Sequence, residues 1–239
     1  MTTFRSHLII GSGRLARHLK AYFELEALPF DSWKRADGLP ALEEKSAVAS
    51  HMLFAVSDSS IEPLYRECDF LWGKTCVHFS GAMSTRLMPS AHPLMTFAND
   101  LYDLETYRRI PFVLEEDRGG LPDLLPGLMN PSYSIPSERK TLYHALCVLS
   151  GNFTVLLWEK AFHEFARLGL PKEVLLPYLE QTARNLSHSE ENASVLTGPL
   201  ARGDKKTIAR HLDVLAEDPF REVYDAFVSA HSQTTGAAT

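Results

Sequence analysis

Cysteine is scarce. The 239 residues hold three, Cys68, Cys76 and Cys147, an odd number at spacings that match no metal motif. That argues against a disulfide framework, leaves no metal site to expect, and favours reduced thiols in the cytoplasm. Long hydrophobic runs are missing too. Leu8-Ile9-Ile10 is followed at once by glycine and arginine, so no signal peptide is expected, and no run reaches the roughly 18 apolar residues of a membrane span. Basic charge is not in excess: 24 Lys and Arg against 30 Asp and Glu leave a net charge of −6, with no stripe suited to a nucleic acid. The chain that remains is 45% hydrophobic and 23% charged, the composition of a soluble globular protein with ample core.

Within it, His7 to Lys20 reads HLIIGSGRLARHLK. A short apolar run turns through Gly11-Ser12-Gly13 into Arg14, Leu15 and Ala16, where helical spacing begins. Gly11, Gly13 and Ala16 fit the dinucleotide fingerprint G-x-G-x-x-G/A. The first glycine permits the tight turn, the second lets a pyrophosphate approach the backbone, and the small third residue lets helix pack on strand. The helix N-terminus would point free N–H groups at the phosphates. A tight strand-to-helix turn in any α/β protein is the plain alternative.

Further along, Pro29 to Trp33 reads as a poor second strand. Lys34 and Arg35 follow it, while Asp31 lies further back. A basic residue at this place pairs with the 2′-phosphate of NADP, whereas an acidic one would read the ribose of NAD. Ser32 and Arg35 are therefore expected near such a phosphate. Leu39 to Ser46 carries few strand signals. Ser50 to Val56 reads as a buried parallel strand, and Val56-Ser57-Asp58 turns from it into a helix on the ligand side of the sheet. Thr75 to Phe79 is another strand, ending in Ser80-Gly81-Ala82. His92 is expected in a loop before Pro93, where an imidazole can exchange a proton near neutral pH. His78, alternating with apolar neighbours, reads as a satisfied structural histidine. Further strands are expected at Ile110–Leu114 and Ser132–Ile135.

From Ser137 the hydrophobic period becomes helical. Leu142, Ala145, Leu146, Leu149, Phe153 and Leu156 form a stripe that Leu157, Phe162 and Phe165 widen. A helix so broadly apolar needs cover from a bundle or a second copy. Gly169 reads as its stop, Pro171 as the next start, Asp204 as an N-cap, and Pro219 as the start of a last helix. The loop Leu196 to Asp204 offers Thr197 and Arg202 for a carboxylate. The fold expected is α/β: a doubly wound, mostly parallel Rossmann-type sheet over residues 1–136, an all-α substrate and dimerisation domain over 137–232, and a disordered tail at 233–239.

Several segments in this order resemble a known family: GSGRLA at 11–16, AVSDSSI at 55–61, VHFSGAMS at 77–84, HPLMTF at 92–97, YHA at 143–145, Asn152-Phe153, and LTGPLARGD with His211 after it. The chain is similar to Rossmann-like proteins that carry a C-terminal helical domain of unknown function. These are relatives of the pyrroline-5-carboxylate reductase, 6-phosphogluconate dehydrogenase and prephenate dehydrogenase groups. The resemblance implies an NADP-type cofactor, a homodimer through the helical domain and an active site between domains. Comparison with prephenate dehydrogenases implies that Ser80 and His92 meet the substrate oxygen. Phe97 stands where that pattern has a glycine, so the pocket differs.

The activity expected is hydride transfer between nicotinamide and a small carbonyl, imine or hydroxy compound, carboxylate-bearing. His92 would be acid/base, Ser80 would polarise the oxygen, and Asn152, Thr197 and Arg202 would hold substrate. The rivals are a non-catalytic nucleotide-binding sensor or assembly protein, and a flavin or deazaflavin cofactor in the same fold.

Overall fold

The computed structural model describes residues 6–189 and 194–236. It divides into two compact units, one ending at Glu159 and one starting at Lys160.

The first unit is built on β1 (His7–Ile10), which is followed by α1 (Arg14–Leu25) and β2 (Phe30–Trp33). Then come α2 (Leu39–Val48), β3 (His51–Phe54), α3 (Asp58–Glu67) and β4 (Thr75–His78). All four strands pair in parallel, in the order β2-β1-β3-β4. The chain leaves β1 to one side for β2 and returns on its other side for β3. That reversal opens a crevice beyond the carboxyl ends of β1 and β3, where such sheets bind ligands. The segment around Leu39–Ser46, poor in strand signals, is the helix α2.

Alternation along β1 explains the two layers of helices. Ile9 joins one core cluster with Ala16, Leu19 and Phe23 of α1, while Leu8 and Ile10 join another with Leu42 of α2 and Ile61 and Leu64 of α3. All three β1 residues are fully buried, each contributing about 1.5–3 kcal/mol by leaving water. A strand covered on both faces is apolar where it meets the helices, as Leu8, Ile9 and Ile10 are, with the buried His7 at its start.

A parallel bridge between His78 and Ser90 links β4 to the segment entering β5 (Ala91–Pro93). After α4 (Leu104–Arg109) come β6 (Phe112–Glu115), the short α5 (Leu121–Leu124) and β7 (Ser132–Ile135). β5 runs antiparallel to β6, and β6 parallel to β7. His92 therefore sits in a strand, not in the loop expected for it. Its backbone register against Val113 fixes it more firmly than proline alone would.

A single 3₁₀ turn at Ser137–Arg139 leads into α6 (Lys140–Cys147), a π-helical turn at Val148–Asn152, and α7 (Phe153–Arg167). These 31 residues form one continuous helix, apolar and long enough by composition to cross a membrane. Its polar groups, among them Lys140, Tyr143, His144 and Asn152, are spread along its N-terminal half.

In the second unit, Gly169 ends α7 at φ +78°, a conformation glycine adopts without steric cost. Pro171 precedes a 3₁₀ turn, then α8 (Leu176–Ser187), α9 (Gly198–Ala201), α10 (Lys205–Val214) and α11 (Phe220–Gly236). The Leu196–Asp204 segment thus holds a helical turn of its own. Residues 233–236, expected in a disordered tail, continue α11, and 237–239 lie outside the described residues.

Candidate functional site

Gly11 follows β1 at φ +139°. A Cβ there would stand 2.2 Å from the carbonyl oxygen of Ala55, and its N–H donates to Trp33 O at 2.8 Å. Three strand ends close on this residue, so no side chain fits. Gly13 is different. It is the N-cap of α1, and nothing lies within 4 Å of where its Cβ would be. No side chain caps the helix, and its first turn holds no acidic residue. Uncapped N–H groups at the positive end of a helix dipole face open space, which is the physical description of an anion site. Ser12 and Arg14 are exposed around it, Leu15 is half-buried, and Ala16 is buried against the sheet.

The surrounding charges bear on which dinucleotide would fit. Asp31, inside β2, is occupied by Lys45 at 2.7 Å and by the N–H of Ser32 at 2.6 Å. Trp33 is buried and donates to Gly38 O. Beyond it Lys34 and Arg35 are exposed, with Arg35 loosely paired to Glu67 at 3.3 Å. The acid of this strand is neutralised, and at its end stand two exposed bases, one of them in a surface pair with Glu67.

At the neighbouring strand ends, Val56 is half-buried and Ser57 pairs its hydroxyl with Ser60 at 2.8 Å. Asp58 opens α3 and accepts the hydroxyl proton of Ser80 at 2.6 Å. Ser80 is buried, and its oxygen also accepts the N–H of Met83. This commits the Ser80 hydroxyl to the protein.

Beside it, His92 Nδ1 meets the hydroxyl of Tyr143 at 2.7 Å, and the rings of His92 and His144 lie 5.9 Å apart. Gly81 makes this possible. A Cβ on it would stand 2.4 Å from His144 and 2.9 Å from His92 Nε2. Burial pushes His92 down to about 4, helped by His144 and Lys140 and opposed by Asp58, so the imidazole is neutral at neutral pH. Burial and the neighbouring Cys147 raise Tyr143 above the ordinary phenol range, so its proton stays on. His78 is fully buried. Its Nδ1 accepts from Ser80 N, its Nε2 has no hydrogen-bond partner in the protein, and burial lowers it to about 4.

Asn152 ends the π-helical turn and is exposed. Thr197 and Arg202 flank α9 in the second unit, both exposed. No group of three His, Cys, Asp or Glu able to hold a metal occurs among the described residues.

Sequence reasoning gave no role to Tyr143, the partner of His92, or to Lys140. The YHA segment at a helix start was the available signal for the first. Nothing in the local pattern marks the second.

The parallel β2-β1-β3-β4 sheet, the glycine turn at its switch point and the helical region after it define a Rossmann-type α/β protein. Residues 111–231 match the family described as a domain of unknown function, DUF2520, and the chain belongs to that family. A candidate NADP oxidoreductase from Bacteroides fragilis is similar at 24% identity and a TM-score of 0.77, with 97% of this chain and 99% of that one covered. A protein from Thermotoga maritima has 25% identity, a TM-score of 0.66 and the same coverage. The pyrroline carboxylate reductase of Plasmodium falciparum, solved with NADP bound, has 12% identity and a TM-score of 0.57 over 98% of this chain and 97% of that one. No curated protein matches the sequence significantly.

Proposed function

We propose that the protein is an NADP-dependent oxidoreductase acting on a small carbonyl, imine or hydroxy compound that bears a carboxylate. The observation that carries this reading is the pair of glycines. Gly11 is pinned by Ala55, and Gly13 leaves an uncapped helix N-terminus open to a pyrophosphate. The cofactor of the similar proteins from Bacteroides fragilis and Plasmodium falciparum, as their names state it, agrees with this. The exposed bases Lys34 and Arg35 and the neutralised Asp31 favour the 2′-phosphate form.

NADPH, when bound, would supply the hydride. The chain supplies orientation and a proton path. A neutral imidazole protonated at Nε2 accepts the Tyr143 hydroxyl at Nδ1 and presents Nε2–H toward Gly81, so His92 serves as acid/base by relay: Nε2–H passes to the substrate, Nδ1 takes the Tyr143 proton, and solvent returns a proton to the phenolate. The Ser80 hydroxyl donates its hydrogen bond to Asp58. It therefore holds the loop, and polarisation of the substrate oxygen falls to the Nε2–H of His92, whose ring Tyr143 fixes from the other side. Asn152, Thr197 and Arg202, all exposed polar groups, are the candidates for the substrate carboxylate.

We read the active form as a homodimer covering the helical faces. Leu142, Leu146, Leu149, Phe153 and Leu156 are each more than two-fifths exposed, more contiguous apolar surface than a monomer ordinarily shows. The same cover accounts for the span-like composition of this helix without a lipid partner. Three free thiols suit the reducing cytoplasm.

The test is titration of the purified protein with NADPH and NADH, followed by nicotinamide fluorescence. NADPH should bind more tightly, and Arg35→Ala should weaken it about tenfold by removing a charge-assisted bond worth roughly 1.4 kcal/mol, leaving NADH unchanged. Binding of neither nucleotide would end the reading. A screen of keto acids, cyclic imines and hydroxy acids follows, with His92→Ala expected to keep NADPH binding and lose turnover. Tight binding without turnover of any of them would leave a nucleotide-binding sensor.

A further inference from the structure

Lys140 opens α6, the helix that carries Tyr143 and His144, and it is 2% exposed. An ammonium has three N–H donors. Here all three are taken, by Ser80 O at 3.1 Å, by Met83 O and by Ser90 Oγ. Ser80 and Met83 lie in the loop after β4, and Ser90 stands two residues before His92. Behind Ser90 is Glu115 of β6, whose side chain is fully buried. Its carboxylate accepts from Ser90 N at 2.9 Å, from Ser84 Oγ and from Ser137 Oγ at 3.1 Å, and lies 3.6 Å from Arg118. Burial alone would raise this carboxyl, but the Ser84 hydroxyl, the Lys140 charge and the Ser90 N–H hold it below the usual range.

A packing role does not call for a buried ammonium and a buried carboxylate joined through Ser90, since apolar residues of similar volume usually serve stability as well or better. What the ammonium bonds is informative: each acceptor belongs to the segments that carry Ser80 or lead into His92.

We propose that Lys140, backed by Glu115, is a positioning residue that ties the Ser80–Met83 loop and the start of β5 to the first turn of α6, so that the Tyr143 hydroxyl meets His92. Its charge has a second effect. The groups facing His92 are Tyr143, His144 and Lys140 from α6 and Asp58 from α3, and of these His144 and Lys140 disfavour an imidazolium while Asp58 favours it. Burial lowers Lys140 itself to about 8, and of the groups it faces Glu115 and Asp58 favour its charge while Arg118 opposes it. Burial is the first cause of the neutral His92, and the cation, after His144, adds to it, leaving the imidazole an acceptor for Tyr143. The use made of His92 rests on the oxidoreductase reading, but the positioning belongs to the free protein.

The experiment is an NMR titration of the His92 imidazole in the full chain without nucleotide, its resonance assigned by its loss in His92→Ala. Lys140→Met and Lys140→Gln remove the charge, and Gln keeps donors for the loop. Both should raise the His92 midpoint by about one pH unit, while Lys140→Arg, which keeps the charge, should leave it low. A purely structural lysine would lower the melting temperature in the Met variant, recover with Gln, and leave the midpoint unmoved. An unmoved midpoint in Lys140→Gln overturns the proposal. NADPH binding should persist in all three variants, and failure of the unsubstituted protein to bind NADPH would sink the oxidoreductase reading without touching this one.

Discussion

Gly11 and Gly13 stand two residues apart and are glycines for different reasons, which separates the consequences of changing them. At Gly11 a methyl group would be driven into a backbone carbonyl at 2.2 Å, in a region of φ that side chains avoid. Gly11→Ala should therefore disturb the packing of β1 against β3 and lower the melting temperature by several degrees. Gly13 has ordinary φ of −71° and empty space around it. Gly13→Ala should leave the melting temperature within a degree or two and weaken NADPH at least tenfold, because the methyl occupies the pyrophosphate's approach. Thermal melts and fluorescence titration on the two variants check this. Equal loss of stability in both would contradict it. Asn130 shows the same economy at a buried position. Its amide donates to Tyr107 O and Ile110 O, and its carbonyl accepts from Tyr22, so one side chain closes the end of α4 against α1.

Among the elements, the helices differ in how their ends are satisfied. α1 starts without a side-chain cap, at the place proposed for phosphate. α10 starts with Asp204, which accepts Thr207 N at 3.1 Å and the Thr207 hydroxyl at 2.8 Å. That carboxyl is held below its ordinary range, first by the Thr207 hydroxyl and then by the Thr207 N–H. A cap filled by its own helix has no bond to spare for a ligand. Asp204→Ala should then lower the urea midpoint, as loss of an N-cap does. α1 carries a second device: His18 bonds Tyr107 at 2.9 Å and Ala98 O at 3.0 Å, while Arg17 bonds Asn99 O. The helix that would hold the phosphates is thereby joined to the segment that follows His92.

At the scale of the molecule, two properties follow from the distribution of burial. Among the described residues from Lys160 onward, Leu175 alone is buried, at 5% exposure. A helical unit with so little core gains stability by covering its apolar faces. The mass in solution by sedimentation should be about twice the 26.8 kDa of one chain, and Leu146→Glu with Leu149→Glu should return it to the monomer with a lower melting temperature. A stable, unsubstituted monomer at micromolar concentration would refute this. The second property is acid sensitivity. Burial lowers His7, His78 and His92 each to about 4, against 6.5 in an unfolded chain. Between those values the unfolded chain binds more protons, so the contribution to stability is complete above about 6.5 and is lost as pH falls toward 4. Each of these imidazoles contributes at most about 1.4 kcal/mol per pH unit. The urea midpoint should drop clearly between pH 7 and pH 5. An unchanged midpoint would mean these rings are not neutral in the folded protein.

The amino-acid sequence by itself determined what local chemistry decides. An apolar run bounded by Gly-Ser-Gly sets β1, its turn and α1, because strand period, turn residue and helix period all lie within one short window. The buried strands at His51–Phe54 and Thr75–His78, the stop at Gly169, and the starts at Asp204 and Pro219 were legible in the same way. Tertiary structure decided the partners. His92 and Tyr143 are 51 positions apart, and nothing in either neighbourhood shows that the turns after β4 bring them together. That His92 lies in a strand depended on β6 arriving beside it. Ser80, expected to polarise a substrate oxygen, donates its hydroxyl to Asp58 instead, and Lys140, unmarked in the local pattern, is closed in by three acceptors. Periodicity records which face of an element is buried. Which side chain meets which depends on crossovers and register, and those are fixed when the whole core packs.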